Sequence, residues 1–191
     1  MRELVFLLEE ESAKAMLEGL LPRILLPEIH YRLIPFEGKQ DLERQLVRKI
    51  RAYRNPEAHF IVMRDQDSHA DCHELKATLK ALCQEAGRPD TIVRIVCREL
   101  ESFYIADLAA VEAALGLANL ARHQRRRKFR TPDAIASPSA ELVRLTDGRY
   151  QKVGGSRAIG RYLDADNTRS ASFRALIVGI RRLASSGVRR V

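Results

Sequence analysis

Acidic residues in this sequence gather within three residues behind apolar runs. Glu9-Glu10-Glu11 follows Leu4–Leu8, Asp65-Gln66-Asp67 follows His59–Met63, and Glu99-Leu100-Glu101 follows Thr91–Val96. If each run is a strand of one parallel sheet, three strand ends deliver carboxylates to the edge where open α/β sheets collect their ligands. Residues two apart on an extended chain point the same way, so Asp65 with Asp67, and Glu99 with Glu101, are spaced to share a cation. Clustered carboxylates repel one another unless neutralised. A hard divalent ion, Mg²⁺ or Mn²⁺, does this best because it prefers oxygen ligands. Such an ion supplies phosphoryl chemistry by activating water and stabilising charge that develops on a phosphodiester. The expected metal set is therefore Glu9, Asp65, Asp67, Glu99 and Glu101. Singly, each group also has a plainer role: complementing a helix dipole, shaping a turn, or pairing with Arg94 or Arg98. Their joint position at one edge favours the metal.

Basic residues offer the complementary chemistry. Lys152 lies in Gln151-Lys152-Val153-Gly154-Gly155-Ser156-Arg157, which reads as a turn-rich loop with Ser156 opening a helix. A lysine there can meet a scissile phosphate, and glycines would admit the phosphate close to the backbone. The order does not fit a P-loop, whose Lys follows its glycines. Arg122, Arg125, Arg126, Arg127, Lys128 and Arg130 form the densest basic run. With Arg157 they are the candidates for nucleic-acid phosphates, through contacts that salt would weaken. A solvated loop, or a docking surface for an acidic protein, is the alternative. His69, Cys72, His73 and Cys83 lack zinc-finger spacing, and Cys72 and Cys83 fall within one expected helix.

The elements that must position these groups alternate. Leu4–Leu8, Ile29–Phe36, His59–Met63 and Thr91–Val96 are the expected strands. Between them lie a helix over Ser12–Leu21 stopped by Pro22, another over Asp41–Tyr53, and a third from the capping box Asp71-Cys72-His73-Glu74 to about Ala86. Asp107 caps a further helix that ends before Gly116, and Ser170–Ala184 has the pattern of an amphipathic one. Its apolar stripe is expected on the sheet rather than on a membrane surface. A β-α-β-α-β-α-β order with short connections packs most simply as a mostly parallel four-stranded sheet flanked by helices. Residues 1–118 would form this α/β core, and 119–191 a basic, mainly helical extension packed on it.

The 191 residues suffice for one well-buried core without a disulfide or structural metal. Apolar residues make up 46% and charged residues 30%, which excludes disorder, collagen and coiled coil for the whole chain. Residues 1–118 carry 16 Lys and Arg against 20 Asp and Glu, net −4; residues 119–191 carry 17 against 5, net +12. An acidic front and a basic back suggest a polyanionic partner, most simply nucleic acid. Three scattered cysteines, with neither a signal peptide nor an apolar span of ~20 residues, point to a reducing, cytoplasmic compartment.

The order of these motifs resembles the Toprim superfamily, shared by topoisomerases, primases and the overcoming-lysogenization-defect nucleases. Leu7-Leu8-Glu9 resembles its glutamate after the first strand, Asp65-Gln66-Asp67 its Asp-x-Asp after the third, and Arg98-Glu99-Leu100-Glu101-Ser102-Phe103 the acidic segment of the nuclease branch. The whole chain is similar to a Toprim-like bacterial family catalogued as a domain of unknown function, whose members are often encoded beside AAA or ABC-type ATPases in phage-defence loci. The stretches that carry this likeness are Glu37-Gly38-Lys39-Gln40-Asp41-Leu42, Arg64–Ser68, Arg98–Glu101, Tyr150-Gln151-Lys152-Val153 and Arg169–Phe173. The resemblance implies that Glu9 is a general acid/base or metal ligand and that Asp65, Asp67 and Glu101 hold metal. Toprim proteins usually carry Gly directly after the first Glu, where this chain has Glu10, so the choice of metal-facing residue among Glu9, Glu10 and Glu11 stays open.

The reading that follows is a Mg²⁺/Mn²⁺-dependent, phosphodiester-cleaving, nuclease-like effector of anti-phage defence, partnered by an ATPase, with Lys152 assisting at the phosphate. The alternative is a non-catalytic subunit of the same fold that binds an ATPase or nucleic acid. An Asp-x-Asp phosphatase fits less well, since haloacid-dehalogenase-like enzymes place that pair after the first strand.

Overall fold

The computed structural model describes residues 3–185. Four strands, β1 (Glu3–Leu8), β2 (His30–Pro35), β3 (Ala58–Asp65) and β4 (Ile92–Val96), form one sheet in the order β2-β1-β3-β4. All neighbours are parallel, with Leu8 opposite both Pro35 and Met63, and Asp65 opposite Val96. After β1 the chain turns to one side to make β2, then crosses to the other to make β3. The β1/β3 boundary is thus the switch point at which such sheets open a crevice.

Strand alternation divides the core in two. Val5, Leu7, Phe60, Val62 and Val93 face α2 (Lys39–Arg51) and α3 (Cys72–Glu85). Those helices answer with Leu42, Leu46 and Ile50, and with Leu79 and Cys83, each set recurring every four residues on one stripe. Leu4, Phe6, Leu8, Ile61, Met63, Ile92 and Val96 face the other way, into a larger cluster. It is completed by α1 (Glu11–Ile24), α4 (Glu101–Ile105), α5 (Leu108–Leu115), α6 (Pro138–Leu145), α7 (Lys152–Gly160) and α8 (Ala171–Ser185). The mostly parallel sheet flanked by helices, with a helical C-terminal part, is therefore as expected from sequence. The last six residues of the 119–191 extension lie outside the described residues.

Local signals mostly hold. The Asp71 carboxylate accepts the His73 N–H at 2.7 Å, and Asp107 accepts the Ala110 N–H at 3.1 Å. The α8 stripe of Phe173, Leu176, Ile177, Ile180 and Leu183 is buried, and α8 packs beside β4. Phe103, Tyr104 and Cys83 are core residues.

Two expectations need correction. Pro22 does not stop α1, which runs to Ile24. Leu20 and Leu21 are fully buried and Ile24 packs against the same cluster, so tertiary burial outweighs the hydrogen bond that proline deletes in the last turn. The expected turn-rich loop over 151–157 is instead helix α7 from Lys152 onward, with Ser156 buried inside it. Its glycines serve close packing. A Cβ on Gly155 would lie 2.5 Å from the Tyr150 ring, one on Gly160 would collide with the Met16 carbonyl, and one on Gly19 of α1 would lie 2.7 Å from the Arg161 nitrogen. The backbones of α1 and α7 thus pass within reach of one another only because neither carries a side chain at the crossing.

Candidate active site

Glu9 is the first residue beyond β1. Its N–H donates to the Met63 carbonyl at 3.2 Å, carrying the β1–β3 ladder one step past the strand. Its carboxylate accepts the Asp65 N–H at 2.9 Å, and the Asp65 carboxylate in turn accepts the Leu100 N–H at 2.9 Å. The ends of β1, β3 and β4 are thereby tied into one chain of contacts at the switch point. In each carboxylate the other oxygen has no hydrogen bond among the described residues.

The acid charge here is poorly compensated. Burial, then the Glu9 charge, then Glu10 and Glu101, push the Asp65 carboxyl well above the usual carboxylate range. Burial raises Glu9, with Asp67 and Glu10 adding to it against the pull of the Asp65 N–H. Burial also raises Glu101, which is 2% exposed on α4 and receives a hydrogen bond from the Tyr150 hydroxyl at 2.8 Å. That hydroxyl also stands 3.2 Å from Ser156 Oγ and 3.4 Å from the Lys152 carbonyl, so Tyr150 fastens Glu101 to the start of α7.

Of the three consecutive glutamates, Glu9 reaches Asp65. Glu10 accepts from Ser12 Oγ and pairs with Lys152 Nζ at 2.6 Å, and Glu11 pairs with Lys14 at 2.8 Å. Glu10 has φ −150°, extended backbone open to any residue, so this position requires no glycine. Burial works against the Lys152 charge, but its bond to Glu10 and the charges of Glu10, Glu101 and Asp65 hold its pKa above the ordinary lysine value.

Neither Asp65-Gln66-Asp67 nor Glu99-Leu100-Glu101 is extended throughout. The chain enters the left-handed region at Asp67 (φ 53°) and Arg98 (φ 63°), and Glu101 opens a helix. Asp67 therefore turns to Lys39 Nζ, 3.0 Å away, while Glu99 accepts the Ser139 N–H at 2.7 Å in the first turn of α6. Among the described residues no three carboxylate, imidazole or thiol groups stand together closely enough to hold one ion. The donor set itself suits a hard dication, being all oxygen and carrying repulsion that such a charge would relieve. Lys39 and Tyr150, absent from the sequence-derived set, belong to this site. Their only sequence signal is membership of the Glu37–Leu42 and Tyr150–Val153 stretches.

No hydrogen bond or ion pair among the described residues joins the basic run to Glu9, Asp65, Asp67, Glu99 or Glu101. Ala121–Arg125 and Arg127–Phe129 form 3₁₀ turns, anchored by buried Phe129 and by Gln124. The Gln124 side chain accepts from the Leu108 N–H and donates to the Ile105 and Phe129 carbonyls. Arg122, Arg125, Arg126, Arg127, Lys128 and Arg130 are all exposed. Lys128 pairs with Glu141 at 2.6 Å, and Arg157, on α7, pairs with Glu18 at 3.1 Å.

Fold and site together define an α/β protein with a cluster of acids at the sheet's switch point and a basic helical flank. Residues 8–181 match the model of the family described as "Domain of unknown function (DUF4276)", and the chain belongs to that family. Among solved structures it is similar to the C-terminal region of the Burkholderia pseudomallei OLD protein. The identity is 15%, with 96% of this chain and 98% of that one covered and a TM-score of 0.57, a likeness of fold. No curated protein matches the sequence. Among the described residues, no helix is long and apolar enough to cross a membrane.

Proposed function

We propose that this chain is a Toprim-type nuclease that cleaves phosphodiesters with Mg²⁺ or Mn²⁺, serving as the effector of an ATPase-controlled defence pair in the cytoplasm. The observation that carries this reading is the Asp65 carboxylate held among Glu9, Glu10 and Glu101 at the switch point, with Lys152 beside Glu10. The fold likeness to the OLD C-terminal region supports it, as does the resemblance of the strand-end motifs to Toprim nucleases. Glu9 and Asp65 would hold the ion, with Asp67 and Glu101 turning toward it and Glu99 at the margin. The ion would supply water activation and neutralise charge on the phosphoester. Glu9, whose pKa burial raises above the ordinary carboxylate value, is the candidate proton carrier. Lys152 brings a positive charge to the same edge for a phosphate oxygen, and the exposed arginines of 122–130 would hold the strand.

Calorimetric titration with Mn²⁺, paired with cleavage of DNA and RNA, tests the proposal. Asp65→Asn and Glu9→Gln are each expected to weaken Mn²⁺ binding about tenfold or more and to abolish cleavage. Cleavage that persists in both variants would overturn the assignment.

A second reading, a non-catalytic subunit that binds an ATPase or nucleic acid, is favoured by one observation: the lack of three ion-sharing groups among the described residues. It predicts no Mn²⁺ uptake at millimolar concentration and nucleic-acid binding indifferent to Asp65→Asn.

A further inference from the structure

We infer that the hollow between the Ala121–Arg125 turn and the end of α6 is a discrete phosphate-binding pocket, separate from the carboxylate cluster. Its volume is ≈ 270 Å³, and its polar lining is Asn119, Arg122, His123, Arg126, Arg144 and Asp147. None of these residues touches Glu9, Asp65, Glu101 or Lys152 through a hydrogen bond or ion pair among the described residues.

The charge in this hollow is unbalanced. Arg144 is paired with Glu141, which also takes Lys128. Arg122 and Arg126 have no carboxylate partner among the described residues, and the one acid in the wall, Asp147, is exposed. His123 sits among these cations, and its Nδ1 is buried without a hydrogen-bond partner. Desolvation first, then the charges of Arg126, Arg122 and Arg144, lower its pKa. Arg122 and Arg126 share this wall with His123 without a carboxylate of their own among the described residues, and within the wall only the exposed Asp147 offsets their mutual repulsion. A phosphate repays it, since arginines grip phosphate oxygens with paired hydrogen bonds and a buried imidazole nitrogen would gain a partner. The volume is slightly below the ~300–1,000 Å³ that encloses a whole organic ligand, so the pocket suits the phosphate end of a larger molecule. That phosphate can come from a nucleic-acid strand or from a free nucleotide.

The test uses the full chain and the histidine C–H resonances in a two-dimensional NMR spectrum, the His123 signal being identified with His123→Gln. Inorganic phosphate and pyrophosphate are titrated against chloride at matched ionic strength. Saturable movement of the His123 resonance, with its pKa rising toward the ordinary value, is expected. In the surface double variant Arg122→Ala/Arg126→Ala the affinity should fall about tenfold to a hundredfold. Asp65→Asn should bind as tightly as the parent, so failure of the nuclease proposal leaves this one standing. Competition then separates the sources. Displacement of pyrophosphate by a 5′-phosphorylated but not a 5′-hydroxyl oligonucleotide identifies a strand end, and displacement by ATP alone identifies a free nucleotide. A His123 resonance that does not saturate, an unchanged affinity in the double variant, or binding lost in Asp65→Asn would each overturn the inference.

Discussion

Tyr150 couples more of the candidate site than any other single side chain. Its hydroxyl donates to Glu101 and lies against Ser156 and the Lys152 carbonyl, so one phenol sets both a buried carboxylate and the helix start that bears the lysine. Tyr150→Phe keeps the ring against Gly155 but deletes the hydroxyl that bonds Glu101 at 2% exposure. The expected cost is about 1–3 kcal/mol of stability by denaturant unfolding. Metal-dependent activity should fall with KM little changed, since nothing in the strand-holding basic run is touched. The acids make a second prediction. Asp65, Glu9 and Glu101 all have folded-state pKa values raised above their ordinary ones. Each therefore stabilises the fold fully below its unfolded pKa, and that contribution is lost as pH rises through the folded value. Without divalent ions, thermal stability should fall as pH climbs above the usual carboxylate range. Asp65→Asn should flatten that slope and be the more stable protein at pH 7. A steeper slope in the variant would mean that the three acids are already compensated. Glu9 and Asp65 were legible in the sequence because an acid at the end of an apolar run needs only the strand to be placed. Tyr150 and Lys39 were not, since neither a tyrosine nor a lysine at a helix start signals this chemistry until the fold sets it beside Glu101 or Asp67.

Among the elements, α7 shows where sequence signals mislead. Lys152–Gly160 holds Gly154, Gly155 and Gly160, and intrinsic propensity reads such a stretch as loop. It is helical because it lies in close backbone contact with α1, where Gly160 and Gly19 leave room, and because Gly155 lets the Tyr150 ring lie flush against it. Only the packing partner decides the matter, and the sequence does not name it. The same geometry separates the three glycines. Gly154 has open space around its Cβ direction and no left-handed φ, so Gly154→Ala should raise stability by about 0.5–1 kcal/mol by lowering the entropy of the unfolded chain. Gly160→Ala forces backbone against backbone and should cost about 1–3 kcal/mol or more. Since α7 carries Lys152, that variant should also loosen the Glu10–Lys152 pair and depress activity beyond what its stability loss explains. Thermal melts of the two variants side by side check the contrast. Equal effects would mean that α7 does not press on α1.

In the whole molecule, the division that charge suggests is not one that packing respects. The acidic front and the basic back meet in a single apolar cluster, in which twelve buried side chains from beyond residue 118 lie with Phe6, Leu8, Ile61 and Met63 of the sheet. They include Leu142, Ile159, Leu163, Phe173, Ile177 and Ile180, all at 1% exposure or less. Each such side chain withdrawn from water contributes about 1.5–3 kcal/mol before its ordering entropy is met, so losing all twelve strips the larger face of the sheet of much of its cover. The one face of the sheet that α2 and α3 cover cannot replace it. A chain ended at residue 118 is therefore expected to collapse without cooperative unfolding and to bind hydrophobic dyes, although it retains all four strands and every strand-end acid. The intact chain should unfold in one transition, with far-ultraviolet and near-ultraviolet signals coincident. Two separated transitions, or a folded 1–118 fragment, would show that the basic part is a dispensable appendage. Coincident transitions would mean instead that the region carrying the arginines and the region carrying the carboxylates rise and fall together. The distance between a strand held on the flank and the acids at the sheet edge is then fixed by a shared core rather than by a linker.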